Sequence, residues 1–137
     1  GYESASKAAD VLLGKGVKNV VITLGNKGYY AKNAQSEFTG APIQVNVVDT
    51  TGAGDAFNGG FTAALAAGMS FEAALIYGNV TGGLAVEKLG TAPAMPYKEE
   101  IMAALNKYLF ENVQILEPVC SEIQGLHRFF AVEDEYR

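Results

Sequence analysis

The chain has 137 residues, 49% of them apolar and 18% charged, with 16 glycines, the composition of a folded globular domain and not of a disordered, collagenous or membrane chain. Its net charge of -5, from 15 acidic against 10 basic residues, offers no basic stripe for a run of phosphates and argues against nucleic acid as a partner. No apolar stretch approaches the roughly 20 residues that cross a bilayer, no signal-peptide pattern is expected, and a single cysteine (Cys120) and a single histidine (His127) exclude an internal disulfide and a structural zinc site; a cytoplasmic protein without membrane partners is expected.

Ser4 to Leu13 places Ala5, Ala8, Ala9, Leu12 and Leu13 on one helical face and stops at Gly14 and Gly16. Asn19 to Leu24 is a β-branched run closed by Gly25, which predicts a strand buried on both faces and, with the helix, half of a βαβ unit. Gly28 to Ala31 and Gln44 to Val48 read as further strands, and the polar stretch between them, with Gly40 and Pro42, suits turns. From Gly54 to Ala67 the period becomes helical, with Phe57, Phe61, Ala64, Leu65 and Ala67 in register and Gly68 as the stop. A second helix follows Ser70, a suitable N-cap, and carries Phe71, Ala74, Leu75, Tyr77, Val80, Leu84 and Val86, while Gly78, Gly82 and Gly83 imply close packing. Pro96 introduces a helix over Lys98 to Leu109 with Ile101, Ala104, Leu105 and Tyr108 inward, and Asn112 to Leu116 reads as a strand. Tyr29, Tyr30, Phe57 and Phe61 are assigned to the core; His127 and Cys120 receive no role.

The stretch Asp49-Thr-Thr-Gly-Ala-Gly-Asp55-Ala-Phe-Asn-Gly-Gly60 joins an apolar strand to an amphipathic helix. Small residues at Gly52, Ala53 and Gly54 allow a tight turn and leave amides uncovered at a helix N-terminus, where free donors and the dipole favour an anion. Asp55, in the first turn, holds a carboxylate beside that anion, placed to accept a proton from an attacking hydroxyl. A plain turn with Asp55 capping the helix is the alternative. Asp49, six residues upstream, adds a second carboxylate. The Walker pattern is absent, and Phe57 occupies the third glycine position of a dinucleotide fingerprint.

Asp49-Thr-Thr-Gly-Ala-Gly-Asp55-Ala-Phe-Asn-Gly resembles the C-terminal signature of the ribokinase-like (PfkB) carbohydrate kinases, and Val21-Ile-Thr-Leu-Gly-Asn-Lys-Gly28 resembles the nucleotide-binding strand and turn upstream of it. Leu84-Ala-Val-Glu-Lys-Leu-Gly-Thr-Ala-Pro-Ala-Met-Pro96-Tyr-Lys-Glu-Glu100 is similar to the C-terminal segment of the ribokinase branch. The resemblance implies an α/β fold, a three-layer α/β/α sandwich of which this chain is the C-terminal half, and ATP-dependent phosphorylation of a sugar primary hydroxyl, ribose first. It implies Asp55 as the general base and substrate-binding residue, with the amides of Gly52, Ala53, Gly54 and Asp55 as the anion hole. Thr23, Gly25, Asn26, Gly28, Gly54 and Asn79 match positions around ATP. Asp49, Thr51, Ala85, Lys88 and Gly90 match positions around a monovalent cation, usually K+, and Ala94 departs from the hydroxyl residue often found there.

By the same resemblance, residues 1–110 form the nucleotide-binding and catalytic part and 111–137 a tail of unknown role. The family's sugar-binding residues, its lid and the Asn-x-x-Glu element that arranges Mg2+ belong to an N-terminal half absent from this sequence. A fragment of a longer product, or a truncated product that forms a homo-oligomer or pairs with that half, is therefore expected. A kinase for another sugar or a nucleoside, and a noncatalytic nucleotide-binding or oligomerisation module, are the alternatives.

Overall fold

The structure, a computed structural model, describes residues 1–43, 45–87 and 98–111. Among these residues four α-helices and three strands follow in the order α1 (Tyr2–Gly14), β1 (Asn19–Thr23), β2 (Tyr29–Asn33), β3 (Glu37–Gly40), α2 (Ala53–Ala66), α3 (Phe71–Ala85) and α4 (Lys98–Glu111). The mixed content is that of an α/β chain, and it divides into two compact units, Gly1–Ile43 and Gln44–Arg137.

In the first unit β1, β2 and β3 form one sheet in sequence order, both pairs antiparallel, with Ile22 opposite Tyr30 and Tyr29 opposite Gly40. Helix α1 lays Ala5 and Ala9 over Val20 and Tyr30, and Leu13, Ile22 and Leu24 extend that core. The small alanine side chains bring the helix backbone close to the sheet, and Lys32 binds Asp10 of α1 at 2.6 Å at its rim. Ala8 and Leu12, expected on the same face as Ala5 and Ala9, are instead exposed. The narrow sheet covers only the stripe one helical turn wide that Ala5 and Ala9 mark.

Two expectations about strands fail in this unit. β1 is buried only at Val20, with Asn19 and Thr23 exposed, so it is not covered on both faces and belongs to a meander among the described residues. The stretch expected to turn contains β3. Its turn is made earlier, where the Asn33 side-chain oxygen accepts the amides of Gln35 at 2.9 Å and Ser36 at 2.8 Å, freeing Glu37–Gly40 to pair. Tyr29 and Tyr30 are core residues as expected, 2% and 1% exposed.

In the second unit the expected strand over 44–48 does not form. Gln44 lies outside the described residues, residues 45–47 are irregular, and Val47 and Val48 are exposed. The Val48 amide donates to the Val86 carbonyl at 2.6 Å and not to a strand. Helices α2 and α3 match their expected spans within a residue. Ser70 caps α3 by accepting the Ala73 amide at 3.2 Å, and Ala73 to Gly82 are buried without interruption. An unbroken buried run of that length, which takes in the polar Asn79 and Thr81, requires cover around the helix. Phe57 stacks on Phe61 at 6.2 Å and Phe61 meets Phe71 edge-on at 5.9 Å. Gly78 and Gly82 both lie against α2, at Phe57 and Ala53, as the sequence implies. On α4, Ile101 and Leu105 point inward and Ala104 is half-buried; the Tyr108 side chain, the strand expected at 112–116 and the tail lie outside the described residues.

Candidate active site

The segment entering α2 is shaped by its own backbone. The Asp49 side-chain oxygen accepts the Thr51 amide at 2.9 Å, closing a small loop, and the Ala53 amide donates to the Thr50 carbonyl at 3.2 Å. Gly52 then takes a left-handed conformation (φ 81°, ψ 0°) as the N-cap, a backbone state that glycine adopts without strain. Its carbonyl receives the Ala56 amide at 2.9 Å and starts the helix. Among the described residues no side chain caps α2.

Two consequences follow for the chemistry. Asp55 does not cap the helix; it sits in the first turn with its side chain exposed. The Ala53 amide is engaged by Thr50, so among the described residues Gly52, Gly54 and Asp55 keep amides without a protein partner at this positive helix end. Of the four amides expected to form the anion hole, three thus remain for an anion. Gly54 and Asp55 are exposed and Gly52 and Ala53 half-buried, which leaves the turn open to a ligand. An uncapped helix start with free amides and an adjacent carboxylate can bind a phosphoryl group and remove a proton beside it.

The expected cation residues Asp49, Thr51 and Ala85 are drawn to one region by the chain itself. Val86 follows Ala85 at the end of α3, and its carbonyl accepts the amides of Val48 at 2.6 Å and Asp49 at 3.0 Å. Ala85 is fully buried and Asp49 half-buried. Among the described residues no group of three or more His, Cys, Asp and Glu side chains forms a metal cluster; carbonyls with one carboxylate are a hard donor set of the kind that suits an alkali cation. Lys88 and Gly90 lie outside the described residues, as does Ala94. The Thr50 and Val86 carbonyls, which build this region, escaped the sequence reading because a backbone acceptor leaves no signal in residue identity.

The expected nucleotide residues of the first unit share one connection. A 3-10 turn over Gly25–Lys27 links β1 to β2, closed by Leu24 N–H donating to the Gly28 carbonyl at 2.8 Å and by the Tyr2 hydroxyl donating to the Lys27 carbonyl at 2.9 Å. Thr23, Gly25 and Asn26 are exposed along it. Gly28 differs: it is buried at φ 88°, and a Cβ there would overlap the Gly40 carbonyl. Packing alone therefore demands glycine at that position. Asn79, in the second unit, is 8% exposed in the middle of α3, a buried polar group and not the solvated helix residue that its type suggests.

Comparison with known proteins gives these features a setting. Residues 2–98 match the model of the pfkB family carbohydrate kinases. The chain is 38% identical over 103 residues to a ribokinase of Haemophilus influenzae, covering 75% of this chain and 34% of that protein. It superposes on Arabidopsis thaliana ribokinase complexed with ribose and ATP with a TM-score of 0.72 and 33% identity, covering 77% of this chain and 34% of that one. For Escherichia coli phosphofructokinase-2 in complex with potassium the TM-score is 0.69 at 27% identity, covering 76% and 33%. The chain thus spans about a third of the length of the relatives it matches. No helix among the described residues is long and apolar enough to cross a membrane. With a family model matched across most of its length and the glycine turn, free amides and first-turn aspartate in place, the chain belongs to the pfkB family of carbohydrate kinases.

Proposed function

We propose that the protein carrying this chain transfers the γ-phosphate of ATP to a primary hydroxyl of a sugar, with ribose as the acceptor. The observation that carries the reading is the uncapped start of α2, where the amides of Gly52, Gly54 and Asp55 are free among the described residues and the Asp55 carboxylate is exposed in the same turn. The Asp55 carboxylate takes the hydroxyl proton as the sugar oxygen bonds to the γ-phosphorus. The bond from that phosphorus to the β,γ-bridging oxygen breaks, and ADP leaves with the electron pair. The free amides hold the transferring group while its charge is redistributed. Mg2+ bound with ATP supplies charge neutralisation for the phosphates.

Thr23, Gly25, Asn26, Gly28, Gly54 and Asn79 are proposed to contact ATP, Gly28 also for the packing reason given above. Asp49, Thr51 and Ala85, with Lys88 and Gly90, are proposed to hold K+; the link from Val86 to Asp49 supports that grouping for the first three. Ribose is supported by the likeness to ribokinases, one of them complexed with ribose and ATP. We further propose the three-layer α/β/α sandwich, a cytoplasmic setting, and sugar-binding residues supplied by protein beyond this chain, either in the same product or in a pairing partner. The experiment is ribose-dependent ADP release with Mg2+ and K+, measured on the natural protein and compared with fructose and a nucleoside as acceptors. Turnover with ribose alone supports the reading in full; turnover only with another acceptor keeps the kinase and replaces the sugar. ATP binding without turnover on any acceptor overturns it.

A further inference from the structure

The last turn of α3 grips the glycine loop from both sides. On the incoming side the Val86 carbonyl takes the amides of Val48 and Asp49. On the outgoing side Gly82 is buried against the first turn of α2, and a Cβ built there would lie 3.1 Å from the Ala53 carbonyl oxygen and 3.3 Å from the Phe57 Cβ. Both distances fall below ordinary van der Waals contact, so the α3 backbone rests on α2 with no side chain between them. Ala53 is followed directly by Gly54 and Asp55, which carry free amides and the carboxylate.

We infer that Gly82 is a positioning residue for phosphoryl transfer: its missing side chain sets how deeply the Gly52–Asp55 turn is seated, and so where the anion-binding amides and the Asp55 carboxylate stand. The inference rests on the kinase reading above for its consequence in turnover, and on packing alone for its consequence in geometry. A methyl at position 82 displaces the Ala53 carbonyl by a few tenths of an ångström in a group whose alignment with the acceptor hydroxyl governs the rate. The same methyl raises helix propensity within α3, so the variant is expected to fold.

The test pairs Gly82→Ala with Gly59→Ala in the natural protein. Gly59 is exposed on α2 with open space around it, and its alanine variant gains helix propensity without touching α3. With isotope-labelled glycine, the amide signals of Gly52 and Gly54 are expected to shift in Gly82→Ala and to stay in place in Gly59→Ala. Turnover is expected to fall about tenfold in Gly82→Ala alone, with KM for ATP and for the sugar within about twofold. Unmoved signals in Gly82→Ala, equal movement in both variants, or full turnover alongside shifted signals overturns the inference. A protein that transfers phosphate to no acceptor overturns the kinase reading separately, because the glycine signals still decide whether Gly82 seats the turn.

Discussion

Gly28 and Gly40 touch backbone to backbone across the β2–β3 edge: a Cβ on Gly28, at φ 88°, would overlap the Gly40 carbonyl. Two independent penalties therefore meet in one substitution, a left-handed conformation and a collision with backbone that has no rotamer through which to yield. Gly28→Ala is expected to destabilise the protein by about 3 kcal/mol, read as a lower midpoint in chemical denaturation. A loss below about 1 kcal/mol would mean that the Gly28–Gly40 contact relaxes easily.

Asp55 stands exposed in a helix turn that no side chain caps, so Asp55→Asn removes the proton acceptor without removing a cap. Turnover is expected to drop at least about a hundredfold, with ATP affinity within about threefold, because the carboxylate acts on the acceptor hydroxyl and not on the nucleotide. Steady-state kinetics beside direct nucleotide binding separates the two. Near-normal turnover would remove Asp55 from the mechanism.

The Tyr30 hydroxyl is buried beneath α1 and meets no hydrogen-bond partner among the described residues. A polar group desolvated without compensation opposes folding. Tyr30→Phe keeps the ring and is expected to leave stability unchanged or raise it by about 1 kcal/mol. A clear loss in thermal denaturation would reveal a partner that the hydroxyl satisfies.

Burial raises the Tyr77 phenol above its ordinary value of 10.0. Above about pH 10 the unfolded chain releases this proton while the folded one keeps it, so stability is full below that pH and declines as pH rises towards the folded value. Lys32 acts in the same direction: the hydrogen bond it donates to the Asp10 carboxylate is the first cause of an ammonium held above 10.5, opposed by desolvation. Alkaline unfolding is expected to begin near pH 10, with a shallower slope in Tyr77→Phe. An unchanged slope would exclude Tyr77 as a source.

Helices α2 and α3 were readable because Phe57, Phe61 and Ala64, or Ala74, Leu75 and Val80, repeat with the helical period, and because Ser70 and Gly68 mark their ends. The glycine turn was readable too, since only small residues fit its left-handed start. The 44–48 strand failed because an apolar run carries no information about its partner: the Val48 amide goes to Val86 and not to a sheet. The exposure of Leu12 and the pairing of Glu37–Gly40 were hidden for a similar reason, because both depend on how wide the sheet is and where Asn33 turns the chain. At the site, residue types disclosed the carboxylate and the small residues but not that Thr50 occupies the Ala53 amide.

Two amides meet at the one Val86 carbonyl, and none of the three residues contributes a side chain to that junction. Its information content at the level of residue type is close to nil: the exposed Val48 is free to drift among many amino acids while the tether persists. Proline is the one replacement at 48 or 49 that deletes a donor outright. A substitution map of the protein would accordingly show the exposed position 48 as permissive to nearly everything, with proline forbidden at 48 and again at 49 as the only trace of the joint.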